Sequence, residues 1–177
     1  MISTEQNFFE LFNLDESFEV DLNALTERYH DLQNETHPDK FSGAGEAEKI
    51  RALQLNSLLN EAYSTLKTPL KRAGYLLALR GIETEQASQE DLSMDLLMEQ
   101  MQQREKLAEL PGDESALAEL EQMKTSVGSR LQNSQSVFAD HLNRIELKEA
   151  KQLFFEMQFL HKLLAEIEQG EEKRLGY

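Results

Sequence analysis

Residues 35–41 read ETHPDKF, which sets a histidine, a proline and an aspartate side by side between two segments of helical periodicity. Pro38 has no amide hydrogen to donate and disfavours helical backbone at His37. The segment before it must therefore stop at 34–36, and the chain turns there with help from FSGAG at 41–45. Upstream, Asp21 is a good N-cap, and Leu22, Leu25, Tyr29 and Leu32 recur at three- and four-residue steps. Downstream, the pattern predicts a long helix over about 44–66 with Ala47, Ile50, Leu55, Leu58, Leu59, Ala62, Tyr63 and Leu66 as its buried stripe. Two long helices joined by so short a loop lie antiparallel.

The rest of the chain is read outward from that hairpin. A short first helix is expected over about 4–13, with Ser3 and Gln6 as a capping box. Pro69 ends the long helix, and LKRAGYLLALRG gives one more short helical piece before Gly81. This makes residues 1–80 one domain. The polar stretch at 83–91, ETEQASQED, holds no large apolar residue to bury, so 81–91 is expected to be a linker or elbow. Beyond it, residues 92–177 show three further helices, over about 91–110, 114–143 and 146–170, the first two separated by Pro111 and Gly112. The middle one carries Leu117, Leu120, Lys124, Val127, Leu131, Ser134 and Phe138 at alternating three- and four-residue steps, a bundle seam with two polar interruptions. The fold class is all-α, a helical hairpin with short flanking helices followed by a three-helix bundle.

Composition removes whole classes of function. Asp and Glu number 33 against 18 Lys and Arg, a net charge of −15, which repels phosphate backbones and anionic headgroups; nucleic acid and membrane are poor partners. With no cysteine there is no disulfide, thiolate nucleophile or cysteine-held metal. The first twenty residues carry no Lys or Arg, which fits neither a signal peptide nor a presequence, and the expectation is a cytoplasmic protein.

Within those limits His37 and Asp39 admit three readings. They could be an acid/base pair, or with His30 a metal site; but the chain has four histidines, no H-E-x-x-H pattern, and a loop between two helices is a poor place to exclude water. They could be a plain turn in which Asp39 caps the next segment. Or they could be presented to another protein.

The setting of the trio decides among these. The motif lies between L-x-x-L-x-x-x-Y-x-x-L at 22–32 and a long helix containing NEAYSTL at 60–66, followed by a proline, and this resembles the J domain of DnaJ-type co-chaperones over about residues 7–75. PLKRAGYLLALRG at 69–81, LLMEQMQQREKLAEL at 96–110 and QFLHKL at 158–163 extend the resemblance to the HscB family of iron–sulfur cluster assembly. The resemblance implies no catalysis by the chain itself and no cofactor or metal. It implies that His37, Pro38 and Asp39, flanked by Lys40 and with Arg28 nearby, bind an HscA-type heat-shock ATPase and stimulate its hydrolysis of ATP. It implies that the bundle binds the scaffold protein IscU through Leu97, Met98, Met101, Glu105 and Phe159. A J-domain adaptor for another client is the alternative. J domains usually carry a basic second helix, whereas here Arg28 stands beside Glu27, Asp31 and Glu35, so Lys40, Lys49 and Arg51 are expected to supply positive charge instead.

The bundle pattern gives its own view of the scaffold face. In the last helix Leu153, Phe154, Met157, Leu160, Leu164 and Ile167 form one face, which leaves Phe155 and Phe159 expected on the opposite, solvent side. In the first bundle helix Leu92, Leu96, Leu107 and Leu110 share one side and Leu97, Met101 and Ala108 another, with Met94 and Met98 beside them. Spare stripes of Met and Phe suit an adaptable partner surface.

Overall fold

A computed structural model describes residues 6–37, 40, 43, 45–85 and 91–176. Its described residues are mainly helical and contain no strand: α1 Phe8–Leu11, α2 Leu22–Thr36, α3 Glu46–Lys67, α4 Pro69–Leu79, α5 Met94–Glu109, α6 Leu117–Asn143 and α7 Leu147–Leu175. The chain divides into two compact units, Met1–Leu76 and Leu77–Tyr177.

In the first unit, α2 and α3 pair as an antiparallel hairpin. The Asp21 carboxylate accepts from the amides of Asn23 and Ala24, satisfying two of the orphan donors at the start of α2. The first helix is shorter than its periodicity predicts. Ser3 lies outside the described residues, and the capping box present is formed by Asn7 and Glu10. The helix ends after one turn because Asn13 takes a left-handed conformation (φ 53°), tolerable for Asn, and the Leu14 amide returns to the Phe9 carbonyl at 2.9 Å. Pro69 opens α4, at the position where its missing donor costs nothing.

The core of this unit is Phe9, Phe12, Leu25, Ala52, Leu59, Ala62, Leu66, Ala73 and Leu76. Tyr75 stacks on Phe8 with ring centroids 4.4 Å apart, and its hydroxyl accepts from the Phe8 amide; burial pushes its phenol above the ordinary value. The buried stripe of α3 differs from the sequence expectation at its N-terminal end, where Ala47 and Ile50 are exposed and Ala52 is buried instead. Steps of seven, three and four from Ala52 reach Leu59, Ala62 and Leu66, a single face that cannot also include position 50.

In the second unit α6 and α7 form a long antiparallel hairpin, and α5 packs on α7. The α6 seam is buried at Leu120, Val127, Leu131, Ser134 and Phe138, as the alternating spacing predicts, with Met123, Ala139 and Leu142 completing it. The α6–α7 turn closes with the Glu146 amide on the His141 carbonyl at 2.9 Å, which holds Ile145 in the left-handed region at φ 62°.

Phe155 and Phe159 correct the sequence expectation. They are only 5% and 6% exposed, not solvent-facing, because α7 is covered by two neighbours. One arc, with Leu160 and Ile167, faces α6, and Phe159 lies under α5 with Glu99 and Gln103 on one side and Gln100 and Arg104 on the other. Among the sixteen residues of α5 only Leu96 is buried.

Candidate functional site

In the first unit, His37 follows the last turn of α2 with an extended backbone (φ −59°, ψ 128°), the conformation a following proline demands, and its side chain is exposed. The Lys40 amide donates to the His37 carbonyl at 3.0 Å. Pro38, Asp39 and Phe41 lie outside the described residues. Thr36, just before His37, is buried, its hydroxyl turned back to the Leu32 carbonyl at 2.8 Å. Arg28 and Lys40 are both exposed, as are Glu27, Asp31 and Glu35, while Lys49 is paired with Glu46 at 3.3 Å.

A polar and aromatic seam holds the two helices that present this loop. Tyr29 stacks on Tyr63 with centroids 4.2 Å apart; the Tyr29 hydroxyl donates to Asn60 Oδ1 at 2.8 Å, and Gln33 Nε2 donates to that hydroxyl at 2.9 Å. The hydroxyls of Thr26 and Tyr63 share a hydrogen bond of 3.2 Å, the main reason the Tyr63 phenol sits below its ordinary value, and Lys67 lies over the same ring at 5.2 Å. Asn60 Nδ2 continues the seam along α3 to Asn56 Oδ1 at 3.0 Å.

In the second unit the candidate face is built on α5. Met94, Met98, Met101 and Glu105 recur at steps of four, three and four, and all four are exposed, Met101 by 74%. Leu97, beside them, is half-buried. Phe159 is not on this row. It forms the floor of an open cavity of about 340 Å³ along one edge of α5, together with Leu92, Phe155, Gln100, Arg104 and Lys162. The expected residues thus separate into an exposed methionine row and a buried aromatic beneath the helix that carries it.

Ion pairs join the buried side chains of Leu96 and Phe159 in holding α5 in place. Arg130 of α6 pairs with Glu99 of α5 and with Glu156 of α7, the latter at 2.8 Å. Burial alone would pull the Arg130 guanidinium down, but the two carboxylates outweigh it and leave it above its ordinary value. Buried Ser134 donates to the Arg130 carbonyl at 3.0 Å and to Glu156 at 3.2 Å. Arg104 pairs with Glu166 at 3.7 Å and Lys106 with Glu119 at 3.1 Å. At the far end, Arg174 of α7 donates to the carbonyls of Pro111 (2.7 Å) and Leu110 (3.3 Å), satisfying acceptors where α5 stops. Sequence periodicity could not show the pairs between helices, because their partners lie 13 to 64 positions apart.

Among the described residues no group of three or more His, Asp or Glu is placed to hold a metal ion, and no helix is long and apolar enough to cross a membrane. Residues 92–168 match a family profile described as the HSCB C-terminal oligomerisation domain. A curated relative from Shewanella loihica, a co-chaperone protein HscB homolog, is 37% identical over 169 residues, covering 94% of this chain and 98% of the relative. The structure of the chaperone HscB from Vibrio cholerae matches with a TM-score of 0.85 at 35% identity, covering 94% of this chain and 98% of that one. The crystal structure of the human co-chaperone HscB matches with a TM-score of 0.86 at 30% identity, covering 95% and 83%. These relatives are named as chaperones or co-chaperones rather than enzymes. With identity of this level running the length of both units, the chain belongs to the HscB family of co-chaperones.

Proposed function

We propose that this chain couples an iron–sulfur scaffold protein of the IscU type to a heat-shock ATPase of the HscA type in the cytoplasm, performing no chemistry of its own. His37, Pro38 and Asp39 engage the ATPase and accelerate its hydrolysis of ATP, with Lys40 and Arg28 as flanking contacts. Leu97, Met98, Met101 and Glu105 hold the scaffold, and Phe159 supports them from beneath α5. Residues 1–80 act as the J domain, 81–91 as the elbow and 92–177 as the scaffold-binding bundle.

The observation that carries the reading is the row of three exposed methionines on α5, Met94, Met98 and Met101. Thioether side chains are flexible and polarisable, so a row of them can conform to a folded partner, and leaving so much apolar surface in water needs a reason. The exposed His37 at the end of α2 supports the ATPase half. The test is reconstitution with a purified HscA-type ATPase and an IscU-type scaffold. The chain should raise ATP turnover alone and more strongly with scaffold; Met98→Ala with Met101→Ala should lose only the scaffold-dependent part. Turnover unaffected by the wild-type chain would overturn the reading.

A further inference from the structure

Ile50 and Leu53 stand apart from the core of the hairpin. They are 54% and 58% exposed, three residues apart on α3 and therefore neighbours along one side of it. A single exposed apolar side chain needs no explanation, but an adjacent pair beside a docking loop does.

The hairpin register shows where this pair lies. Thr26 meets Tyr63 and Tyr29 meets Asn60, so advancing three residues on α2 means retreating three on α3. Both helices rise equally per residue, and at that register Gln33 falls opposite Asn56 and Thr36 opposite Leu53. The bonds from Gln33 to Tyr29 and from Asn60 to Asn56 carry the seam in that direction along each helix. Leu53 is thus the next position of the seam, level with the residue that precedes His37, and Ile50 lies one turn closer to the start of α3.

Charge argues for what covers it. Three carboxylates, Glu27, Asp31 and Glu35, outnumber Arg28 on the exposed face of α2, Lys49 is paired with Glu46, and the exposed cations Lys40 and Arg51 lie off that helix. An electrostatic docking helix is missing where an apolar pair is present. A second copy of this chain is a poor occupant, since it carries the same charge of −15 and two side chains fall far short of the roughly 800 Å² per partner that a stable dimer buries.

We infer that Ile50 and Leu53 are the contact by which this chain selects its ATPase, packing on an apolar patch of the ATPase beside the site that receives His37. The inference rests on the ATPase-coupling reading of His37 proposed above. Coupling then keeps an apolar part that salt does not screen, beside the screened contacts of Lys40 and Arg28.

The test is titration of the ATPase with the wild-type chain, with Ile50→Gln/Leu53→Gln, and with His37→Gln. The double glutamine variant should need about tenfold more protein for half-maximal stimulation yet reach the same plateau, whereas His37→Gln should lose the plateau. Ile50→Val/Leu53→Met, which keeps the surface apolar, should restore the wild-type curve. An unshifted double variant, with the wild type active, overturns the inference and leaves the coupling reading intact; an inactive wild type overturns both. Loss of helix content in the double variant would make the pair core. Loss of scaffold binding or of self-association would assign it to the client or to a second copy. Each of these results overturns the inference.

Discussion

Arg130 of α6 and Glu156 of α7 are joined at 2.8 Å, and the same guanidinium reaches Glu99 of α5, so one side chain ties together the three long helices of the second unit. Removing it leaves two carboxylates facing each other. Arg130→Met should lower stability by about 2 kcal/mol, the range of a charged hydrogen bond lost from a half-buried site. In hydrogen exchange, α5 should lose more protection than α6 or α7. Equal loss in all three would mean that α5 is held by its apolar contacts.

The burial of Phe159 separates two groups of variants that sequence alone would treat as one face. Phe159→Ala should cost about 3 kcal/mol or more, because the cavity it leaves opens beneath α5. Met98→Ala with Met101→Ala should leave stability within about 0.5 kcal/mol and weaken scaffold binding more than tenfold. Thermal melts and scaffold titrations on the same preparations check both statements.

The central stripe of a helix was legible from spacing. Leu25 on α2, and Leu120, Val127, Leu131 and Phe138 on α6, are buried where a period of 3.6 puts them. Phe155 and Phe159 were misread because a helical wheel assumes one buried face, while α7 serves α6 and α5 at once. Ile50 was misread for the complementary reason. Four-residue spacing fits several frames on a long helix, and Ala52, a small residue easily overlooked, sets the frame that α3 uses. The clamps on α5 made by Arg130 and Arg174 depend on helix pairing and have no local signature. For the candidate site, the His-Pro-Asp sequence was legible as a motif and Met94, Met98 and Met101 as apolar residues off the core side, but their common row and which side of α5 meets solvent emerged only with the packing.

Ile145 carries a β-branched side chain in left-handed backbone at the α6–α7 turn, fully outside the core. Ile145→Gly should therefore stabilise the protein by about 1 kcal/mol, raising the melting temperature by about 3 °C. A lower melting temperature would show that the side chain contributes more than its backbone strain removes.

His161 Nε2 is sealed from solvent without a hydrogen-bond partner, and burial holds the imidazole below its ordinary pKa of 6.5. Well above pH 6.5 the ring is neutral in both folded and unfolded chains, and its titration adds nothing to the pH dependence of stability. As pH falls below 6.5 the unfolded chain takes up the proton first, so stability declines until the folded pKa is passed. The melting temperature of wild type should fall more than that of His161→Leu between about pH 7.5 and 5.5. Parallel curves would contradict the burial cost.

The central claim is that this chain drives another protein's ATP hydrolysis through the exposed end of α2. Steady-state turnover of a purified HscA-type ATPase, with scaffold present, tests it most directly when wild type and His37→Gln are compared at matched thermal stability. The expected result is stimulation of at least several-fold by wild type, none by His37→Gln, and unchanged melting and scaffold binding for the variant, since His37 is exposed. Full stimulation by His37→Gln would contradict the account.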